Sequence, residues 1–84
     1  MGNIEVDNDH LKTRYANVHF IWDEKLNGYI VRSNCAKAHL GRISYYKSLK
    51  SWILYPGEGI LFDAIILRDV TLFINDLEAK SWRV

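Results

Sequence analysis

The chain has 84 residues, a formal net charge of +1, 49% hydrophobic residues and one cysteine, Cys35. This length predicts one domain with a modest core. The hydrophobic content is too high for a disordered protein, so the composition excludes that class. A single cysteine forms no intramolecular disulfide, which favours a reducing, cytoplasmic setting. No apolar run approaches the ~20 residues of a membrane-spanning helix, so we expect no membrane contact.

The N-terminal residues 1–16 are mostly polar, and we expect a flexible or irregular arm with at most a short helical turn. Residues 17–84 are expected to form a single α+β domain.

The first clear local signal is Asn27-Gly28, which lies between two strand-like runs. This dipeptide suits a two-residue type I′ turn, because both central residues of that turn take positive φ. The resulting register places Asp23 opposite Arg32 as a cross-strand ion pair. The core face of this hairpin is then formed by Val18, Phe20, Trp22, Leu26, Tyr29 and Val31.

A second hairpin is predicted around the four residues 47–50, after a connector at 33–41. We place Tyr46 opposite Ser51, and strand alternation then separates the side chains into two faces. The core face carries Ile43, Tyr45, Trp52 and Leu54, and the other face carries Arg42, Ser44, Tyr46, Ile53 and Tyr55.

A helix of about four turns is predicted over residues 64–80, after Pro56 and a glycine-rich turn end the last strand. Asp63 is the expected N-cap. Helical spacing brings one apolar stripe together, formed by Ile66, Val70, Phe73, Ile74 and Leu77. Asp69 and Asp76 are expected to be solvated surface charges.

The architecture that follows is an antiparallel β-meander of about four strands, with one C-terminal α-helix packed on one face. Because one helix covers only one face of a sheet, the opposite face is left to solvent. That uncovered face is expected to show His19, Arg32, Arg42, Tyr46, Ile53 and Tyr55.

The charges are unevenly distributed along the chain. The segment 32–57 has no acidic residue and five basic ones, which are Arg32, Lys37, Arg42, Lys47 and Lys50. Such asymmetry indicates an electrostatic binding surface, unless folded neighbours cancel it.

Catalytic and metal-binding signals are weak. His10, His19 and His39 have no carboxylate partner at a diagnostic spacing. Cys35 and His39 are four residues apart, but a structural zinc site needs four ligands, so we expect Cys35 to be a buried or half-buried small residue. We therefore expect no metal, no cofactor and no enzymatic activity.

Two binding hypotheses remain. The candidate binding residues are Arg32, Arg42, Tyr46, Lys47, Lys50 and Tyr55. In a protein interface, the tyrosines and arginines would concentrate the binding energy. On DNA or RNA, the basic residues would meet phosphates and the tyrosines would stack on bases. Ile65 and Leu72, seven residues apart on the solvent side of the helix, suggest a homodimer or partner contact, although isolated exposed apolar residues are common.

The segment 40–77 carries a recognisable pattern, which consists of Gly41, Ile43, Tyr45, Tyr46, Pro56, Phe62, Asp63, Leu67, Asp69, Val70, Phe73, Ile74 and Leu77. In this pattern the chain resembles small uncharacterised proteins of phages, prophages and other bacterial mobile elements. It departs at Leu49, where tryptophan is usual, and at Trp52, where tyrosine is usual.

The resemblance implies a phage-like accessory protein in the cytoplasm of a bacterial host. Such proteins commonly act by stoichiometric binding. Our leading expectation is a host or phage protein as the partner, with inhibition of a host defence or nucleic-acid-handling complex, as anti-CRISPR proteins do. Direct DNA or RNA binding is the alternative.

Overall fold

The computed structural model describes residues 4–36 and 38–83, so Lys37 and residues 1–3 of the expected arm lie outside the described residues. In chain order the elements are β1 (Ile4–Val6), a 3₁₀ turn (Asn8–His10), β2 (Val18–Asp23), β3 (Gly28–Ser33), β4 (His39–Tyr46), β5 (Ser51–Pro56), α1 (Ala64–Ala79) and β6 (Ser81–Arg83).

The predicted fold class is confirmed. Strands β2, β3, β4 and β5 form an antiparallel sheet in that order, and α1 packs against one of its faces. Strands β1 and β6 form a separate antiparallel ribbon that the sequence did not predict. Within the described residues, no helix has the length and apolar character needed to cross a membrane.

The register predicted for the first hairpin is wrong. Asp23 lies opposite Gly28, and Arg32 lies opposite His19, so the predicted Asp23–Arg32 pairing does not form. The turn has four residues instead of two, because the Asp23 carboxylate accepts a hydrogen bond from the Lys25 amide at 2.9 Å and begins the turn early.

This error leaves the two faces of the hairpin unchanged, because a register shift of four residues is even and the side-chain period of a strand is two. The predicted core position of Leu26 is nevertheless wrong, since Leu26 lies in the turn with 41% of its surface exposed.

The second hairpin has the predicted register, with Tyr46 opposite Ser51 and a turn over residues 47–50. Both turns end on a residue in the left-handed region, Asn27 at φ 52° and Lys50 at φ 54°. Both hairpins therefore use the same four-residue connection.

Helix α1 begins as predicted, since the Asp63 carboxylate accepts a hydrogen bond from the Ile66 amide at 2.9 Å. Its buried residues include Val70, Phe73 and Leu77. The Phe73 ring stacks on Phe20 of β2 at 3.8 Å between ring centroids, and this contact joins the helix to the sheet.

The expectation of a solvated Asp69 is wrong, because Asp69 is only 2% exposed. Its carboxylate accepts hydrogen bonds from the backbone amide of Asn17 at 2.9 Å and from the Asn17 side-chain amide at 3.3 Å. The segment before β2 therefore packs against the helix at Asp69, whose carboxylate is the hydrogen-bond acceptor for Asn17.

The residues expected to form an irregular arm contain β1 and a short helical turn at Asn8–His10. Leu11 contributes to the hydrophobic core. The Asp76 carboxylate accepts a hydrogen bond from the Lys12 amide at 3.3 Å and pairs with Lys80 at 3.0 Å. The segment is thus held near the C-terminal end of α1, by Asp76 and by Lys80, whose Nζ donates to the His10 carbonyl at 2.7 Å.

Tyr29 provides a test of core packing through pH. Its side chain is 1% exposed, its hydroxyl donates to Asn8 Oδ1 at 2.6 Å, and burial raises its pKa to about 12. A raised tyrosine pKa stabilises the fold fully below the unfolded-state pKa of about 10, and this stabilisation is lost as pH rises through the folded-state pKa.

We therefore expect the free energy of unfolding to fall between about pH 10 and pH 12, by an amount on the order of 2 kcal/mol. Urea titrations across this range measure it. Tyr29→Phe should flatten the decline and lower stability at pH 7 by about 1 kcal/mol. An equal flattening in the exposed-site control Tyr46→Phe would contradict the assignment.

Asp69→Ala tests the buried acceptor. The substitution leaves the Asn17 amide without its partner, so we expect a loss of about 1–3 kcal/mol in the free energy of unfolding. Thr71→Ala, at an exposed position of the same helix, should change it by no more than about 0.5 kcal/mol. Equal effects from both variants in urea titrations would show that Asp69 carries no such role.

Candidate binding face of the sheet

The sheet face opposite α1 is the candidate site, and we call it the open face. Among the described residues no other helix or strand lies over it. Its side chains come from four strands and are His19, Ile21, Asp23, Ile30, Arg32, His39, Arg42, Ser44, Tyr46, Ser51, Ile53 and Tyr55. Asp23 is the acidic member of this set. The open face includes every residue that the sequence placed on the uncovered face.

The centre of the open face is one row of side chains across all four strands. Ile21 lies opposite Ile30, Ile30 opposite Arg42, and Arg42 opposite Tyr55. Ile21 is 44% exposed, and the other three are half-buried. The row therefore joins an apolar half to a cationic and aromatic half.

Arg42 is held in place by two contacts. Its guanidinium carbon lies 4.4 Å from the centroid of the Tyr55 ring, a distance at which a cation is attracted by the ring. Its Nη1 donates to Ser44 Oγ at 3.3 Å. The charge is thus presented in a fixed orientation and loses little side-chain entropy on binding.

Gly28 shapes the adjacent row, in which it lies opposite Ser44. A Cβ at this position would lie 2.3 Å from the Ile43 carbonyl oxygen and 2.6 Å from Ser44 Oγ. The backbones of β3 and β4 approach closely here, so glycine is required by contact. This close approach accounts for the glycine at position 28, which lies in β3 and not in the turn.

The turn of the second hairpin adds exposed side chains next to Tyr46 of the open face. Tyr46 is 45% exposed and Leu49 63%, and Lys47 and Lys50 are also exposed. Lys50 adopts positive φ, a conformation that is unfavourable for most residues other than glycine and asparagine. Such strain is concentrated at functional sites in proteins.

The opposite end of the open face is a polar cluster around Asn34. Its side-chain oxygen lies 2.7 Å from His19 Nδ1 and accepts from Arg14 Nη1 at 3.1 Å. Because an amide oxygen only accepts, His19 Nδ1 carries the proton. Arg32 lies opposite His19 and is half-buried.

The predicted binding residues form a band along the open face, with Arg32 at one end and the lysine-bearing turn at the other. Arg42 and Tyr55 are in contact, whereas Arg42 and Tyr46 are four residues apart on β4, or about 13 Å. Ile65 and Leu72 are 53% and 49% exposed, as expected, but they lie on α1 and so belong to a different surface.

Sequence reasoning did not identify Ile21, Ile30 and Asn34 as parts of the site. Alternation does place Ile21 and Ile30 on the correct face, but their proximity to Arg42 depends on the pairing of β3 with β4. That pairing contains an irregularity at Val31–Arg32, which no sequence signal marks.

The open face offers apolar, aromatic, cationic and hydroxyl groups. Within residues 4–36 and 38–83 no cluster of three or more His, Cys, Asp or Glu side chains is arranged to hold a metal ion. Cys35 is exposed in the turn after β3, so its expected burial is wrong. The chemistry present is apolar contact, cation–π stacking and hydrogen bonding.

Comparison with known proteins finds no matching family model, no similar curated protein and no similar solved structure.

Lys50→Asn tests the strained turn. Asparagine tolerates positive φ better than lysine, so we expect the free energy of unfolding to rise by about 0.5–1 kcal/mol. Lys47→Asn, in the same turn and without positive φ, is the matched control and should not stabilise the protein. Chemical denaturation measures the free energy of unfolding of both variants. An equal change in the two would show that the positive φ of Lys50 does not destabilise the protein.

Proposed function

We propose that this protein is a non-enzymatic binding protein whose open face docks on an acidic surface of a protein partner. The central row carries this proposal. It places two isoleucines beside an arginine that is already stacked on tyrosine, and the charged ends of the band lie around them.

The mixture of groups supports a protein partner. Protein interfaces combine an apolar, well-packed centre with a polar rim, and their strongest anchors are arginine, tyrosine and tryptophan. Ile21 and Ile53 would gain little against phosphates but would bury apolar surface against a protein. The net charge of +1 is also modest for a protein dedicated to nucleic acid.

The resemblance of residues 40–77 to phage and prophage proteins extends the proposal to the type of partner. A host defence or nucleic-acid-handling complex, inhibited by occupation of one of its surfaces as anti-CRISPR proteins do, is the concrete candidate. Fixed, preorganised groups such as Arg42 suit a tight stoichiometric inhibitor.

Direct nucleic-acid binding is the second candidate, and the basic band favours it. Arg32 and Arg42 lie on the open face, and Lys47 and Lys50 are exposed in the turn that follows Tyr46. If all four cations met phosphates, log K would fall with log salt at a slope of about −3 to −4.

The first experiment compares the double variant Arg42→Ala/Tyr46→Ala with the wild type as bait in a bacterial lysate and then against the purified captured protein. We expect binding to weaken by at least about tenfold, because hot-spot arginines and tyrosines contribute more than ~1.4 kcal/mol. The control Lys12→Ala/Leu67→Ala removes one cation and one exposed apolar side chain from the helix side of the molecule.

Equal binding by both double variants would show that the open face is not the interface. A parallel gel shift with duplex and single-stranded oligonucleotides at about 50 mM salt tests the second candidate. A shift that Arg42→Ala/Tyr46→Ala abolishes would favour nucleic acid over protein.

Lys50→Asn separates binding from stability. If Lys50 contacts the partner, this variant should be more stable than the wild type and yet bind more weakly, by roughly two- to fivefold for a rim charge. Isothermal titration with the captured partner measures the change. Unchanged affinity would remove Lys50 from the interface and leave its strain without a binding role.

A further inference from the structure

Helix α1 carries an apolar stripe on the side that faces away from the core. Ile65, Leu72 and Ala79 follow one another at intervals of seven residues and are all exposed. A seven-residue spacing keeps side chains on one side of a helix, as in helices that pack against each other. The stripe runs along nearly the whole length of α1.

An open groove of about 570 Å³ lies beside the C-terminal half of this stripe. Tyr15, Leu72 and Ala79 provide its apolar surface. Its polar margin is formed by Lys12, Asn75, Asp76 and Lys80. The groove exists because Ala79 is small while the segment before β2 rises on the other side. The groove is larger than one branched apolar side chain, and it can admit such a side chain against Tyr15, Leu72 and Ala79.

The charges beside the stripe are separated along the helix. Arg68 is exposed and has no ion-pair partner within the described part of the chain. Asp76 is two turns further on and forms its ion pair with Lys80 at 3.0 Å. Asp76 shares this end of the helix with Lys12 and Lys80, and it is the acidic group that Arg68 of an antiparallel copy would reach.

We infer that α1 pairs with α1 of a second copy, antiparallel, about a two-fold axis at Leu72. Ile65 and Ala79 are both seven residues from Leu72, so Ile65 of each copy enters the groove beside Ala79 of the other. Arg68 and Asp76 are both four residues from Leu72, so each arginine meets the carboxylate of the opposite helix. The contact is isologous, and it closes as a dimer.

Two pairings favour a second copy over an unrelated partner: the large Ile65 side chain with the small Ala79, and the Arg68 guanidinium with the Asp76 carboxylate. Both pairings have the same centre, and a partner of different sequence would need to reproduce them independently. A single pair of 16-residue helices buries less surface than most stable dimers, so we expect a dissociation constant of about micromolar or weaker.

This dimer is independent of the proposed function, because α1 and the open face lie on opposite sides of the sheet. In the dimer the two open faces point outward, away from each other. Failure of either proposal leaves the other standing.

Sedimentation velocity of the full chain over a range of concentrations provides the first test. We expect a reversible monomer–dimer equilibrium that Leu72→Glu weakens by about tenfold or more, since two carboxylates would meet at the axis. Leu67→Glu is the matched control, at an exposed leucine of the same helix outside the stripe. A monomer at every concentration, or equal effects of both substitutions, would overturn the inference.

Cysteine cross-linking tests the orientation. Because the native Cys35 is exposed, the variants are made with Cys35→Ser. With a short thiol-reactive cross-linker, Leu72→Cys should link to itself, whereas Leu67→Cys should not. A mixture of Ile65→Cys and Ala79→Cys proteins should give a heterodimeric product, and self-linking of Ile65→Cys instead would show a parallel pair and overturn the antiparallel arrangement.

Discussion

The contact between Phe20 and Phe73 determines which side of the sheet is covered. The two rings stack at 3.8 Å with an interplanar angle of 4°, and Tyr15 and Tyr29 meet Phe73 edge-on. Aromatic pairs stabilise a core beyond their buried area alone. Once this cluster holds α1 on one face, no second helix of the described chain is available for the other, and the open face follows from it.

Patterns that depend on local chemistry were predictable from the sequence. Asp63 caps α1, and the four-residue turn sets Tyr46 opposite Ser51, because these signals act within a few residues. The first hairpin was misread since Asn27-Gly28 has two explanations. Gly28 is needed because the backbones of β3 and β4 approach closely there. This contact joins residues that are distant in sequence, so no local pattern reveals it.

The candidate site was predictable in its residues and not in its arrangement. Alternation assigned Arg42, Tyr46 and Tyr55 to the correct face, but the stacking of Arg42 on Tyr55 and its proximity to Ile30 depend on pairing between strands. Asp69 illustrates the same limit on the helix. Its charge indicates solvent, yet the amide groups of Asn17 make burial favourable.

The β1–β6 ribbon has a consequence for how the chain closes. It pairs Ile4 with Arg83, whereas each hairpin joins strands across a four-residue turn. Closing the longer loop costs roughly 2–3 kcal/mol more in chain entropy. The ribbon therefore depends on the sheet and helix having brought its strands together, and its opening would release Ile4 and Val6 from the core and Ser81 from the Trp52 indole.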